Sequence, residues 1–256
     1  MIIDHRKLLT DIEFRNMYKQ YTAYTPSTTT LWEDSDTEKN FKKNLRIPEF
    51  AEKLRAGGWT ENNIQYRFNS SGFRSDDEFN IEDPAPGNIF LGCSITAGIG
   101  LNIEDTWGYK ISKQQGGAFY NISQGGCGLE TYYRFLKFWA PLLRPKKIFT
   151  IGAFAVRREF FKQDRLVMVG LWSTGKDKNL ANNFFSSKRE ISIHELRTWD
   201  AIRMVAQDVG AEIYAPTIPT IEQASRIPNN NTARDLIHMG VEFHNYIASS
   251  NFEKIS

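Results

Sequence analysis

From Asn88 onward, short, mostly apolar runs alternate with segments in which apolar residues recur every three or four positions. Ile89-Phe90-Leu91, Ala118-Phe119-Tyr120-Asn121, Lys147-Ile148-Phe149-Thr150-Ile151-Gly152 and Ala211-Glu212-Ile213-Tyr214-Ala215 read as strands. Thr106 to Gln115 reads as a helix, with Asp105 or Thr106 as its cap. Leu129, Tyr132, Tyr133, Leu136 and Trp139 form a helical stripe that Pro141 closes, and Ile193, Leu196, Trp199, Ile202 and Val205 form another, closed by Gly210. Strands separated by helices predict an α/β fold, a three-layer α/β/α sandwich with a mainly parallel sheet. Ligands of such sheets bind at the carboxyl ends of the strands. The first run leads there directly, through Gly92-Cys93-Ser94 into the small residues Ile95-Thr96-Ala97-Gly98.

Before Gly87 the pattern changes. Thr25-Pro26-Ser27-Thr28-Thr29-Thr30 and Asp34-Ser35-Asp36 read as loop, while Ile64-Gln65-Tyr66-Arg67-Phe68-Asn69 alternates as a half-buried strand does, before Ser70-Ser71-Gly72 turns it. Residues 1–87 are therefore expected to form an accessory region packed on a main domain of residues 88–256, with Pro84-Ala85-Pro86-Gly87 at the junction. Within the main domain, about 160–191 breaks the alternation. Leu166 to Trp172 suits a strand or the base of a lid, and Ser173 to Asn179 suits a loop. Insertions of that length often cover a substrate, the role expected here.

Composition narrows the function. A chain of 256 residues can bury one good core. Its 32 basic and 30 acidic residues are interspersed, giving a net charge of +2 and no basic face for nucleic acid. Charges at Asp4, His5, Arg6 and Lys7 stand where a signal peptide would be apolar, and no run approaches the ~20 apolar residues of a membrane span. A cytoplasmic protein without a membrane partner is expected. Cys93 and Cys127 are too few for a disulfide framework and lack zinc-site spacing, so reduced thiols and no metal are expected. Gly125, Gly126 and Gly128 are too loosely spaced for a dinucleotide or phosphate loop, and no cofactor is expected.

The chemistry-bearing residues lie at two places. Ser94 stands at the strand-to-turn junction, and Asp235 and His238 stand three residues apart in Arg234-Asp235-Leu236-Ile237-His238-Met239-Gly240, ahead of a helical pattern. A hydroxyl becomes a nucleophile when a neighbouring imidazole takes its proton and a carboxylate holds that imidazole in the right tautomer. Of the four histidines, His5 and His194 lack such a context, and His244 reads as a surface or packing residue on the last helix. Blander readings stand beside these: Ser94 or Asp235 as a helix cap, and Cys93 as a small buried group or as the nucleophile itself.

Several blocks together resemble the SGNH/GDSL hydrolases, a family of esterases, lipases and deacetylases. Gly92-Cys93-Ser94-Ile95-Thr96-Ala97-Gly98 resembles the first block, with Cys93 where an aspartate is usual, and Thr106-Trp107 resembles the pair that often follows it. Asn121-Ile122-Ser123-Gln124-Gly125-Gly126 resembles the second block and Asp235-Leu236-Ile237-His238 the last, while Asn69 to Arg74 resembles a segment that precedes the domain. The resemblance implies a flavodoxin-like sheet, an acyl-enzyme on Ser94 with His238 as base and Asp235 as its orienting carboxylate, and an oxyanion held by the backbone N–H groups of Ser94 and Gly126. It also implies a small-molecule or carbohydrate ester as substrate, an O-acetyl ester being preferred. The third block departs: Gly152-Ala153-Phe154-Ala155 lacks the asparagine that would supply an amide donor, and Arg157 or Arg158 is expected to support the oxyanion or substrate instead. The alternatives are a non-catalytic binding or structural module on the same fold, and an O-acyltransferase.

Overall fold

A computed structural model describes residues 23–152, 156–162, 165–226 and 232–255. The described chain begins with β1 (Thr29–Thr30), α1 (Glu38–Leu45), α2 (Pro48–Ala56) and β2 (Tyr66–Arg67), the two strands pairing antiparallel. It continues through β3 (Gly87–Gly92), the single turn α3 (Ser94–Ala97), α4 (Trp107–Gln115), β4 (Ala118–Ser123), α5 (Leu129–Leu143) and β5 (Lys147–Thr150). A hairpin of β6 (Arg157–Lys162) and β7 (Arg165–Gly170) follows, then α6 (Gly175–Phe184), α7 (Lys188–Asp208), β8 (Glu212–Pro216), α8 (Ile218–Ser225), α9 (Val241–Ser249) and β9 (Phe252–Lys254).

Five strands make the central sheet in the order β4-β3-β5-β8-β9, parallel except for β9. Counted along the chain this is 2-1-3-4-5, the flavodoxin order. The pleat divides the core in two, because successive residues of β3 point to opposite faces. Ile89 and Leu91 join Ile148 and Ile213 under α5 and α7, against Tyr132, Leu136, Ile202 and Val205. Phe90 points the other way, stacks on Phe149 at 5.4 Å, and meets Trp107 and Ile111 of α4 and Phe243 and Ile247 of α9. Thr106 caps α4 by accepting from the Tyr109 N–H at 3.4 Å.

The structure differs from the sequence pattern at several places. Pro141 does not close α5, which runs on to Leu143; a proline near the end forfeits little of the helix ladder, and Ala140 and Leu143 are both buried in the core. The segment 173–179 is not all loop, since α6 begins at Gly175 and Ala181 is buried on the helix. Leu196 is 63% exposed although it lies on the apolar stripe of α7. The buried residues of α7 are Ile202, Val205 and Ala206, and a strict spacing of three drifts about 60° per step around a helix of 3.6 residues per turn, which carries Leu196 off that face. Residues 160–191 hold most of the hairpin, all of α6 and the start of α7. The expected alternation holds over 64–68, with Ile64, Tyr66 and Phe68 buried and Gln65 and Arg67 exposed, but Asn69 is buried as well and only Tyr66–Arg67 pairs as a strand.

Candidate active site

The turn after β3 is tight. A Cβ at Gly92 would lie 1.8 Å from Thr96 Oγ1, so only glycine lets α3 fold back over the strand end. Cys93 turns into the core at 2% exposure, and Ser94 begins α3, which Gly98 ends in the left-handed region at φ 73°. Strand, turn and helix thus set the Ser94 hydroxyl at the carboxyl edge of the sheet.

Residues 232–239 supply its partners. The Ala233 N–H donates to the His238 carbonyl at 3.0 Å and the Arg234 N–H to the Gly100 carbonyl at 2.9 Å, closing the segment and tying it to the loop after α3. Asp235 Oδ1 accepts from the backbone N–H groups of Ile237 and His238, each at 3.0 Å, and Leu236 between them sits at φ 58°. This closure brings the side chains into line. His238 Nε2 lies 2.7 Å from Ser94 Oγ, and His238 Nδ1 lies 2.6 Å from Asp235 Oδ2. Burial alone would raise the Asp235 carboxyl, but the His238 side chain and charge, the His238 N–H and the Ser35 hydroxyl outweigh it and hold the group below the ordinary carboxylate range.

The segment before β2 completes the cluster. Ser35 Oγ donates to Asp235 Oδ2 at 2.7 Å, so that oxygen accepts from two side chains. Asp36, next in sequence, forms a buried ion pair with Arg234, the neighbour of Asp235, with Nη2–Oδ2 at 2.7 Å and exposures of 1% and 0%. The Arg234 guanidinium also donates to the carbonyls of Leu31, Thr60 and Glu61 and lies over the Trp32 ring at 4.0 Å. Tyr66 donates to Asp36 Oδ2 at 2.6 Å while accepting from the Gly100 N–H at 2.7 Å. The residues that orient Asp235 are therefore anchored twice in the stretch expected to be accessory.

The turn after β4 lies beside the end of β3. The Gln124 N–H donates to the Gly92 carbonyl at 3.2 Å, and the Gly125 N–H donates to the Tyr24 hydroxyl at 3.0 Å. Burial pushes the Tyr24 phenol up, with the Asp34 charge adding to it. Gly126 stands at φ 72°. A Cβ at Gly125 would fall 1.7 Å from Asp34 Oδ2, and one at Gly126 would meet the Trp172 indole at 3.5 Å, so a carboxylate and an aromatic ring flank the two glycines. Arg157 lies over Trp172 at 5.1 Å and donates to the Cys127 carbonyl at 3.2 Å. Arg158 is directed elsewhere and donates to Glu130 at 3.3 Å, a carboxylate that His194 also reaches at 2.9 Å. Arg157, not Arg158, is the arginine held at the glycine turn. Gly152 ends the described part of the third block, its carbonyl accepting from the Tyr132 hydroxyl at 2.9 Å; Phe154 lies outside the described residues.

Three other expected residues have clear places. Cys93 and Cys127 are buried free thiols, the latter pushed up by burial and by Cys93 beside it. His244 is buried, and its Nδ1 accepts the Trp107 N–H at 3.0 Å, satisfying a donor at the start of α4. Among the described residues no group of histidine, cysteine and acidic side chains is arranged to hold a metal ion, and no helix is long and apolar enough to cross a membrane. The sequence matches no protein-family model and no curated protein.

Proposed function

We propose that the protein is a serine hydrolase that cleaves a carboxylic ester through an acyl-enzyme. One observation carries this reading: the unbroken hydrogen-bonded chain from Ser94 Oγ through both nitrogens of His238 to Asp235. His238 Nε2 takes the hydroxyl proton as Ser94 Oγ attacks the ester carbonyl. Asp235, ionised near neutrality, accepts from Nδ1–H and fixes the tautomer that leaves Nε2 free to do so. The backbone N–H groups of Ser94 and Gly126 face the oxygen that becomes negative. As the carbonyl re-forms, the ester C–O bond breaks and His238 Nε2–H gives its proton to the departing alkoxide. Water then repeats the sequence at the Ser94 ester and releases the acid. A cleft of about 470 Å³ opens between α1, α2 and residues 232–239, walled by Lys43, Phe50 and Ile237 and reaching His238. A carbohydrate alcohol is the partner this reading favours, by analogy with the resembled family.

The test is labelling with a fluorophosphonate read by intact mass. The adduct is expected on Ser94, retained in Cys93→Ala and lost in Ser94→Ala. An adduct that survives Ser94→Ala but not Cys93→Ala would move the nucleophile to the cysteine, and no adduct on the parent would remove the hydrolase reading.

A further inference from the structure

The β6–β7 hairpin ends in two exposed apolar residues, Leu171 at 77% and Trp172 at 49% exposure. Leu171 projects into solvent, whereas Trp172 folds back. Its ring edge would lie 2.1 Å from a Cβ at Gly170, so glycine there is what lets the indole return over its own strand. The returned ring ends above Gly126, with Arg157 stacked over it at 5.1 Å and fastened in turn to the Cys127 carbonyl. The indole is thereby held against the glycine turn by packing on both of its sides. On the other side of the same turn, Asp34 Oδ2 sits against Gly125, and Asp34 itself is held at φ 54° beside Ser35. The Asp34 carboxylate lies close enough to His238, Asp235 and Arg157 for their charges to bear on it.

We propose that Trp172 and Asp34 bound the acyl side of the site and restrict it to a short acyl group without negative charge, such as acetyl. This deepens the ester-hydrolase reading and rests on it. The carbonyl oxygen of a bound ester lies at the Gly126 N–H, so its acyl carbon sits within a few ångströms of the glycine whose outer face the indole covers. A methyl group fits under such a cover and a long chain meets the ring. A carboxylate at the end of the acyl chain meets Asp34, and like charges brought together in a site oppose binding.

The test compares kcat/KM for p-nitrophenyl acetate, butyrate and octanoate, and for p-nitrophenyl hydrogen succinate. The parent is expected to prefer acetate over octanoate by more than a hundredfold. Trp172→Ala should raise the octanoate-to-acetate ratio at least tenfold, because each methylene admitted to an apolar contact favours binding about fourfold. Trp172→Phe should fall between the two, and Leu171→Ala should leave the ratio where it was. Asp34→Asn should raise the succinate-to-butyrate ratio by up to about fivefold, the upper end for an exposed charge pair, with the gain shrinking at high salt. Equal use of octanoate and acetate by the parent, or a Trp172→Ala variant that slows all esters in parallel, overturns the proposal. If Ser94 labels but no ester turns over, the rates of labelling by methyl and octyl fluorophosphonates report the same selection: a slower octyl probe that Trp172→Ala accelerates supports it, and equal rates refute it. Failure of every probe to label Ser94 removes the hydrolase reading and this proposal with it, whereas labelling without size selection removes this proposal alone.

Discussion

Arg234→Met probes the joint between the two segments that hold Asp235. The substitution keeps much of the apolar bulk over Trp32 but removes the charge, leaving the Asp36 carboxylate buried with Tyr66 as its remaining side-chain donor. The carbonyls of Leu31, Thr60 and Glu61 lose their guanidinium donors at the same time. Breaking a buried pair from one side costs about 3–5 kcal/mol, since the stranded charge keeps its desolvation penalty and loses its partner. At ~2–4 °C per kcal/mol for a chain of this size, Tm should fall by ~6–20 °C in calorimetry at neutral pH. Asp36→Leu combined with Arg234→Met should recover at least about 1 kcal/mol of that loss, because the stranded carboxylate is gone, although the three carbonyls still lack the guanidinium and the Tyr66 hydroxyl loses its acceptor. Asp36 and Arg234 are also the chain neighbours of Ser35 and Asp235, so the single variant should react with a fluorophosphonate more slowly than the parent at a temperature where both are folded. A Tm shift under about 3 °C, or a double variant as unstable as the sum of its singles, would refute the reasoning.

Ser35→Ala removes one of the two side-chain donors to Asp235 Oδ2 and should lower kcat about tenfold with little change in KM, far less than the ~10⁴ expected for Asp235→Asn, while Ser35→Thr restores most of the rate. His244, held neutral by burial and by the Lys110 and His238 charges, has its pKa lowered to about 3. Its contribution to stability is therefore complete above the unfolded value near 6.5 and is lost as pH falls towards 3, by about 1.4 kcal/mol per pH unit; His244→Asn, whose amide oxygen can take the place of Nδ1, should flatten that slope in urea titrations run from pH 7 to pH 4. Phe154→Asn, which restores the amide of the third block, should raise kcat by tenfold or more with a smaller effect on KM, and a rate no higher than the parent's would show that the donor is not what limits turnover.

The sheet was legible because its signal is local. Four parallel strands announce themselves in runs of two or three apolar residues, and β3 carries Ser94 to the carboxyl edge whatever the rest of the chain does. The Asp235–His238 pair was legible for the same reason, since a spacing of three lets one carboxylate accept the backbone N–H groups of the next residues and still reach the imidazole. Strand β9 left no comparable trace. Phe252-Glu253-Lys254 is too short to show alternation, and it exists as a strand because the edge of β8 is there to pair with it.

What the sequence hid is the part of the site made by contacts distant in the chain. Asp34-Ser35-Asp36 has the composition of a solvated turn, and nothing within ten residues distinguishes it from one. Its role depends on Arg234, 198 residues away from Asp36, whose guanidinium is fully buried against the usual fate of an arginine. Such a charge survives only where the fold supplies acceptors on every side, and here they come from Asp36 and the carbonyls of Leu31, Thr60 and Glu61. Reading residues 1–87 as an accessory region followed from their lack of a repeating apolar pattern, but pattern measures how a segment folds, not what it touches. The orienting carboxylate of the proposed mechanism is held by Ser35 from this region and by its own turn. The described stretch from Tyr24 to Asp36 thus does for the site what a loop at the sheet edge would otherwise do, supplying Tyr24 to the glycine turn, Asp34 to its face and Ser35 to Asp235.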